Sequence, residues 1–242
     1  MKITIAQIAP KLSRSNLKRV VDIVKEYKKE SDLIIFPELS LSGYLLQDKL
    51  YEDAWSLDEI EELIEASKDI DIVVGAAMRD KKVFRNSALY LSKGALLSRH
   101  DKVHLPNYGM FEEARYFSAG NVFESFYVGE LKVSMLVCED LWNAQMHADL
   151  YKEDPDLIIV IAASPARGFE ESGLLIEKQW YSLINAAALN SKSKVIFVNR
   201  VGFEDGLGFW GGSCIVDERT NILAKLPKYD ECIESFEIEG LS

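Results

Sequence analysis

Cysteine is scarce in this chain, and the few residues present stand far apart. Three occur in 242 residues, Cys138, Cys214 and Cys232, with no CxxC pair among them. An odd, widely spaced set describes neither a disulfide framework nor a zinc site, and it points to a reducing cytoplasm. Long apolar runs are also missing: no window reaches the roughly 18–20 residues that a membrane-spanning helix requires. Residues 1–10 alternate like a strand and carry no basic leader, so they do not read as a signal peptide. Basic stripes are missing too, since 28 Lys and Arg lie interspersed among 39 Asp and Glu, for a net charge of −11. Binding to phosphate backbones needs clustered cations, so neither nucleic acid nor an anionic membrane is expected as a partner. The sequence has no linker rich in Pro, Gly or Ser and no internal repeat. It also lacks the GxSxG elbow of serine hydrolases and the GxxxxGK[ST] phosphate loop.

What remains is a chain that is 48% hydrophobic and long enough to bury a large core. Strand-length apolar runs fall at 2–8, 32–37, 70–78, 85–91, 95–103, 122–128, 131–137, 157–163, 194–199, 212–217 and 222–226. Helical spacing appears over 13–30, where Leu17, Val20, Val21, Val24 and Tyr27 share a stripe. A second helix is announced by the capping box from Ser56 to Glu59, and a third by Ile176, Trp180, Leu183, Ile184 and Ala187 within 173–191. Strands apolar nearly throughout predict sheets covered on both faces. The expectation is one α/β domain over residues 1–242.

Three reactive side chains stand at the ends of such runs. Glu38 follows Leu-Ile-Ile-Phe-Pro, Lys102 follows the run beginning near Ala95, and Cys138 follows Val-Ser-Met-Leu-Val. An amide is a poor electrophile, and a thiolate attacks it better than water does. A neutral thiol needs a base, for which Glu38 is the candidate. Lys102, with the backbone N–H of Glu139, would stabilise the developing oxyanion. Taken singly each signal is weak, because a lone strand cysteine is usually a small buried hydrophobe. Cys214 fits that description, and Cys232 lies near the terminus without a distinctive setting.

The joint context resembles the nitrilase, or carbon–nitrogen hydrolase, superfamily. Phe36-Pro37-Glu38-Leu39 with Ser42-Gly43-Tyr44 is similar to its glutamate motif, Lys102 to Pro106 to its lysine motif, and Val137 to Asp140 to its cysteine motif. Glu113 to Phe117, Gly120, Ala163-Ser164-Pro165, Asn199 to Gly202 and Gly211 to Ser213 follow in order. The resemblance implies a four-layer αββα sandwich and a Glu38–Lys102–Cys138 triad, with Glu113 as a second glutamate that positions the lysine and substrate. It implies a small-molecule amide substrate, no metal or organic cofactor, and a homodimer or higher homo-oligomer packed through helices. Tyr44, Tyr108, Glu139 and Ser164 are the candidate substrate contacts. Within the superfamily, Cys138 to Trp142 and Leu105 to Gly109 look most like the glutaminase domain of glutamine-dependent NAD synthetases. The 242 residues leave no room for a synthetase domain, and no Ser-Gly-Gly-x-Asp-Ser loop occurs.

Other patterns carry less. Gly206, Gly208 and Gly211 match GxGxxG, but a strand-like segment follows where a dinucleotide fingerprint opens a helix. His100 and His104 lack the further ligands of a zinc site. Arg167 and Arg200 could grip a substrate carboxylate or be ordinary structural arginines. The leading expectation is a cofactor-free amidase releasing ammonia. A glutaminase subunit feeding a separate synthetase, a nitrilase, and a non-enzymatic scaffold stand behind it in that order.

Overall fold

The computed structural model describes residues 1–241. One six-stranded sheet runs in spatial order Cys232–Glu237 (β16), Lys2–Gln7 (β1), Leu33–Ile35 (β2), Asp71–Asp80 (β3), Val83–Ser92 (β4) and Ala95–Asp101 (β5). The other runs Ile222–Lys225 (β15), Cys214–Val216 (β14), Lys194–Asn199 (β11), Leu157–Ala162 (β8), Leu131–Val137 (β7) and Phe126–Val128 (β6). In the first sheet β1, β2 and β3 are parallel, and in the second β7, β8 and β11 are. Two short ribbons complete the strands, Phe169–Glu170 (β9) with Gly173–Leu174 (β10) and Val201–Glu204 (β12) with Leu207–Trp210 (β13). The helices are Asn16–Tyr27 (α1), Leu50–Asp53 (α2), Glu61–Ala66 (α3), Glu113–Tyr116 (α4), Ala144–Glu153 (α5) and Leu175–Ser191 (α6).

Strand alternation produces the layers. Ile3, Ile5, Leu33, Ile35 and Val73 of the first sheet interdigitate with Val133, Met135, Val137, Ile159 and Ile161 of the second. The opposite faces carry the other parity. Ala6, Ile34, Ile72 and Val74 pack under α1 and α3, while Leu136, Ile158, Val160 and Phe197 pack under α5 and α6. Both faces of the central strands are therefore dry, which explains the unbroken apolar run of β8. This is the expected αββα sandwich.

The differences from expectation lie where tertiary contacts override local pattern. The strand expected over 122–128 shrinks to its last three residues, and the one expected over 95–103 ends at Asp101. The capping box at Ser56 forms, with its N–H and hydroxyl both reaching Glu59 Oε2 at 2.9 Å, but it opens a 3-10 turn before α3. Helix α5 has only Met146 and Leu150 buried, too thin a stripe for sequence periodicity to register. Strand β16 (Cys-Ile-Glu-Ser-Phe-Glu) is half polar because it is an edge strand pairing with β1 alone.

Candidate active site

Parallel strands direct their C-terminal ends to one side, and the candidate residues collect there. Glu38 follows β2, Cys138 follows β7, Ser164 follows β8 and Lys102 follows β5. Gly75 in β3 lets the Glu38 segment come close: a Cβ there would lie 2.5 Å from Leu39 N and from Pro37 O. Its carbonyl accepts from Leu41 N at 3.2 Å, which holds that segment over the sheet. The backbone of Lys102 is held from both sides, donating to Asn86 O and accepting from Gly120 N, each at 2.8 Å.

Glu38, Lys102 and Glu113 form one buried network. Lys102 Nζ donates to Glu38 Oε1 at 2.9 Å and to Glu113 Oε1 at 2.8 Å. Glu38 Oε1 also accepts from Asn86 Nδ2 at 2.7 Å, and its Oε2 accepts from Ala163 N at 2.7 Å. Tyr44 OH donates to Glu113 Oε1 at 2.7 Å. Burial alone would depress the lysine, but the carboxylates of Glu113 and Glu38 outweigh it and keep the ammonium protonated well above its ordinary range. Burial also raises Glu113, opposed by Lys102. An ammonium has three N–H groups, and two are committed here. Nζ also lies 2.8 Å from Glu113 Oε2, so the ammonium faces both oxygens of that carboxylate.

Cys138 begins the 3-10 turn Cys138–Trp142 with φ at +47°, the left-handed region that disfavours side chains. Burial pushes its thiol well above the ordinary cysteine range, the Glu38 charge adds to this, and Lys102 opposes it. Burial thus favours the neutral thiol. Glu139 stands second in the turn, where the first N–H groups lack an intrahelical acceptor. The turn is pinned by Asp140, whose carboxylate is fully buried. Its Oδ2 accepts from Val137 N at 3.1 Å and meets His100 Nε2 at 2.8 Å. Its Oδ1 accepts from Val103 N at 3.0 Å and His104 N at 2.8 Å. One carboxylate thus ties the cysteine turn to the lysine segment, and both histidines turn to it.

At the mouth, Tyr108 OH reaches Glu139 Oε1 at 2.9 Å and Oε2 at 3.0 Å, and both residues remain partly open to solvent. Burial and that carboxylate raise the Tyr108 phenol to about 12, with Arg167 pulling it down. The Arg167 guanidinium sits 5.6 Å from the Phe111 ring centroid. Ser164 lies beside Ala163 at the end of β8. Its Oγ accepts from the indoles of Trp180 at 2.8 Å and Trp210 at 3.2 Å, so only its hydroxyl hydrogen stays uncommitted. Arg200 is not at the mouth. It is fully buried, donating to Glu204 Oε2 and to Pro10 O, each at 2.9 Å. Glu204 in turn accepts from Tyr44 N at 2.9 Å and from Leu45 N. Gly206, Gly208 and Gly211 belong to the β12–β13 hairpin and its exit, with no helix following. Asn86, Asp140 and Glu204 carry much of the site's support, and sequence reasoning gave them no separate role. Only the sequence adjacency of Asp140 to Cys138 could have flagged any of them.

The sequence model of one family, Carbon-nitrogen hydrolase, matches residues 2–238. The glutamine-dependent NAD(+) synthetase of Acinetobacter baylyi is 33% identical over 251 residues, covering 98% of this chain and 44% of that protein. The Thermotoga maritima enzyme of the same name is 28% identical, covering 99% and 42%. The chain thus spans under half the length of these relatives. Among solved structures, glutamine-dependent NAD+ synthetase from Acinetobacter baumannii superposes with a TM-score of 0.87 at 29% identity, over 97% of this chain and 44% of that one. An amidase from Nesterenkonia sp. superposes with a TM-score of 0.82 at 23% identity, over 98% and 90%, a likeness of fold. With a family match over nearly its whole length and a site assembled at its strand ends, the chain belongs to the carbon–nitrogen hydrolase family and is a carbon–nitrogen hydrolase enzyme.

Proposed function

We propose that the protein hydrolyses a small carboxamide through a thioester on Cys138, releasing ammonia. The observation that carries this reading is the closed Glu38–Lys102–Glu113 hydrogen-bonded network beside a strained, neutral thiol. Glu38 takes the Sγ proton as sulfur bonds to the carbonyl carbon, and the C=O electron pair moves to oxygen. Lys102 and the Glu139 N–H receive that oxyanion. Collapse breaks the C–N bond while Glu38 delivers its proton to nitrogen, and ammonia leaves. Water then adds to the thioester with Glu38 again as base, freeing the acid and restoring the thiol.

A specific feature favours an amino-acid amide, which also supports the glutaminase reading. The Glu139 carboxylate, with Tyr108 beside it, offers a seat for a substrate ammonium, and Arg167 nearby offers one for a carboxylate. Relatives that match nearly the whole of this chain, though it spans under half of theirs, are named for their dependence on glutamine. Tyr44 stands on the lysine side, through its hydrogen bond to Glu113 Oε1. We further read the protein as a cytoplasmic homodimer built from a single domain.

The test is ammonia release over glutamine, asparagine, ω-amides of keto acids, N-carbamoyl amino acids and simple nitriles. Cys138→Ala is expected to lose at least about 10³-fold in kcat. Intact-mass analysis with a slow substrate should place the acyl adduct on Cys138. Near-normal turnover by that variant, or an adduct confined to Cys214 or Cys232, overturns the assignment. Stimulation of a weak glutaminase by an added synthetase would select the subunit role over the free-standing amidase.

A further inference from the structure

Asn86 lies in the middle of β4, 1% exposed, with Ala77 of β3 opposite it. An amide is an expensive choice there. A buried amide left half unpaired gives up the hydrogen bonds it had in water, and Asn86 Oδ1 has no hydrogen-bond partner among the described residues. An apolar side chain of the same size would pack without that penalty. What the amide does provide is a single hydrogen bond, Nδ2 to Glu38 Oε1 at 2.7 Å. Through its backbone carbonyl the same residue accepts the Lys102 N–H at 2.8 Å. One strand residue therefore sets the spacing between the carboxylate and the lysine.

The two oxygens of Glu38 are loaded unequally. Oε1 accepts from both Asn86 and Lys102 at 2.7 and 2.9 Å, which occupies both of its lone pairs. Oε2 accepts only the Ala163 N–H, at 2.7 Å, and keeps one lone pair open. We propose that Asn86 is a positioning residue for the base, saturating Glu38 Oε1 together with Lys102 so that Oε2 is the oxygen that takes the Cys138 proton. This rests on the amidase reading above. The groups that share the field of Glu38 are Lys102 after β5, Glu113 on α4, Cys138 and Glu139 in the turn after β7, Tyr44 after β2 and Arg200 after β11. Asn86 is the neutral member that touches Glu38 directly through its side chain.

Two near-isosteric variants separate this role from packing. Asn86→Leu removes the donor and fills the same space with carbon, and Asn86→Asp replaces the donor by a second carboxylate. Both are expected to lower kcat about 10- to 100-fold with little change in KM. Both should also move the acid limb of kcat/KM for the best panel amide to higher pH, and Asn86→Asp further than Asn86→Leu because it sets a second carboxylate beside the first. The low-pH limb of Cys138 alkylation by iodoacetamide, followed by mass, should move the same way, and this readout needs no turnover. For Asn86→Leu the thermal midpoint should hold or rise while activity falls. If both pH limbs superimpose on the wild-type curves, or if the loss of activity merely tracks a loss of thermal stability, Asn86 is a packing residue and the inference is wrong. An inactive Cys138→Ala beside unshifted Asn86 variants removes only this inference, whereas an active Cys138→Ala removes the amidase reading itself.

Discussion

A cysteine held at φ +47° costs roughly 1–2 kcal/mol relative to ordinary backbone, so its neighbours must over-determine it. Asp140 is the main restraint, since its carboxylate accepts three backbone N–H groups drawn from both sides of the site. Burial raises this carboxyl, but the hydrogen bonds from His100 and His104 reverse the effect and hold it far below its ordinary value of 3.8. Asp140→Asn keeps the shape but turns one acceptor into a donor, so either amide orientation sets an N–H against a backbone N–H. We expect it to destabilise the fold by about 3 kcal/mol at pH 7, measured by urea unfolding. The sign of the pH effect follows from the depressed folded value. The stabilisation is complete above the unfolded value near 3.8 and drains away as pH falls below it. The gap between wild type and Asp140→Asn should therefore narrow below pH 3.8, and a gap unchanged down to pH 2 would show that the carboxylate charge is not what holds the turn.

Among the elements, the close pass between β3 and the segment after β2 decides where Glu38 sits. Gly75 permits it, because a Cβ would press to 2.5 Å on Pro37 O and Leu39 N and to 2.7 Å on Glu38 Cα. Backbone atoms cannot step aside as a flexible side chain can. Gly75→Ala is expected to cost about 1–3 kcal/mol of stability and, by displacing the base, at least about tenfold in kcat. Chemical denaturation and steady-state ammonia release measure the two parts, and wild-type values for both would deny the contact its role. Gly75 also marks a limit of sequence reading, since a glycine inside Ile-Val-Val-Gly-Ala-Ala looks like a mere weakness in a strand. Most strands of the two large sheets were legible as apolar runs of strand length, whereas the short ribbons β9–β10 and β12–β13 were not. Helix α5 and strand β16 were not, because partial burial leaves their apolar pattern thin.

At the scale of the whole molecule, the outer helical layer of α5 and α6 leaves Tyr151 67% and Leu189 57% exposed. Large apolar side chains in such numbers on one layer are what pairing through helices would cover. We expect a dimer by sedimentation equilibrium at micromolar concentration and a monomer for the double variant Tyr151→Lys, Leu189→Asp. A wild-type monomer would dismiss this surface as a dimer contact.

Glu38, Lys102 and Cys138 could be named from sequence because each closes an apolar run, and strand ends are local features. The chain by itself also predicted sheets covered on both faces, through runs that are apolar on both parities, while the four-layer sandwich followed from the resemblance of its motifs. Only the tertiary structure decided which groups serve the three. Asn86 reaches Glu38 across 48 positions, Ala163 across 125, and Asp140 reaches His104 across 36. Hydrogen bonds between such distant positions leave no periodicity and no motif behind, because they depend on how strands line up within one sheet, for Asn86, and on two sheets being pressed face to face, for Ala163 and Asp140. Arg200, a possible carboxylate grip in the sequence, was likewise assigned to Glu204 by burial alone, since a guanidinium sealed from water must find its partner inside.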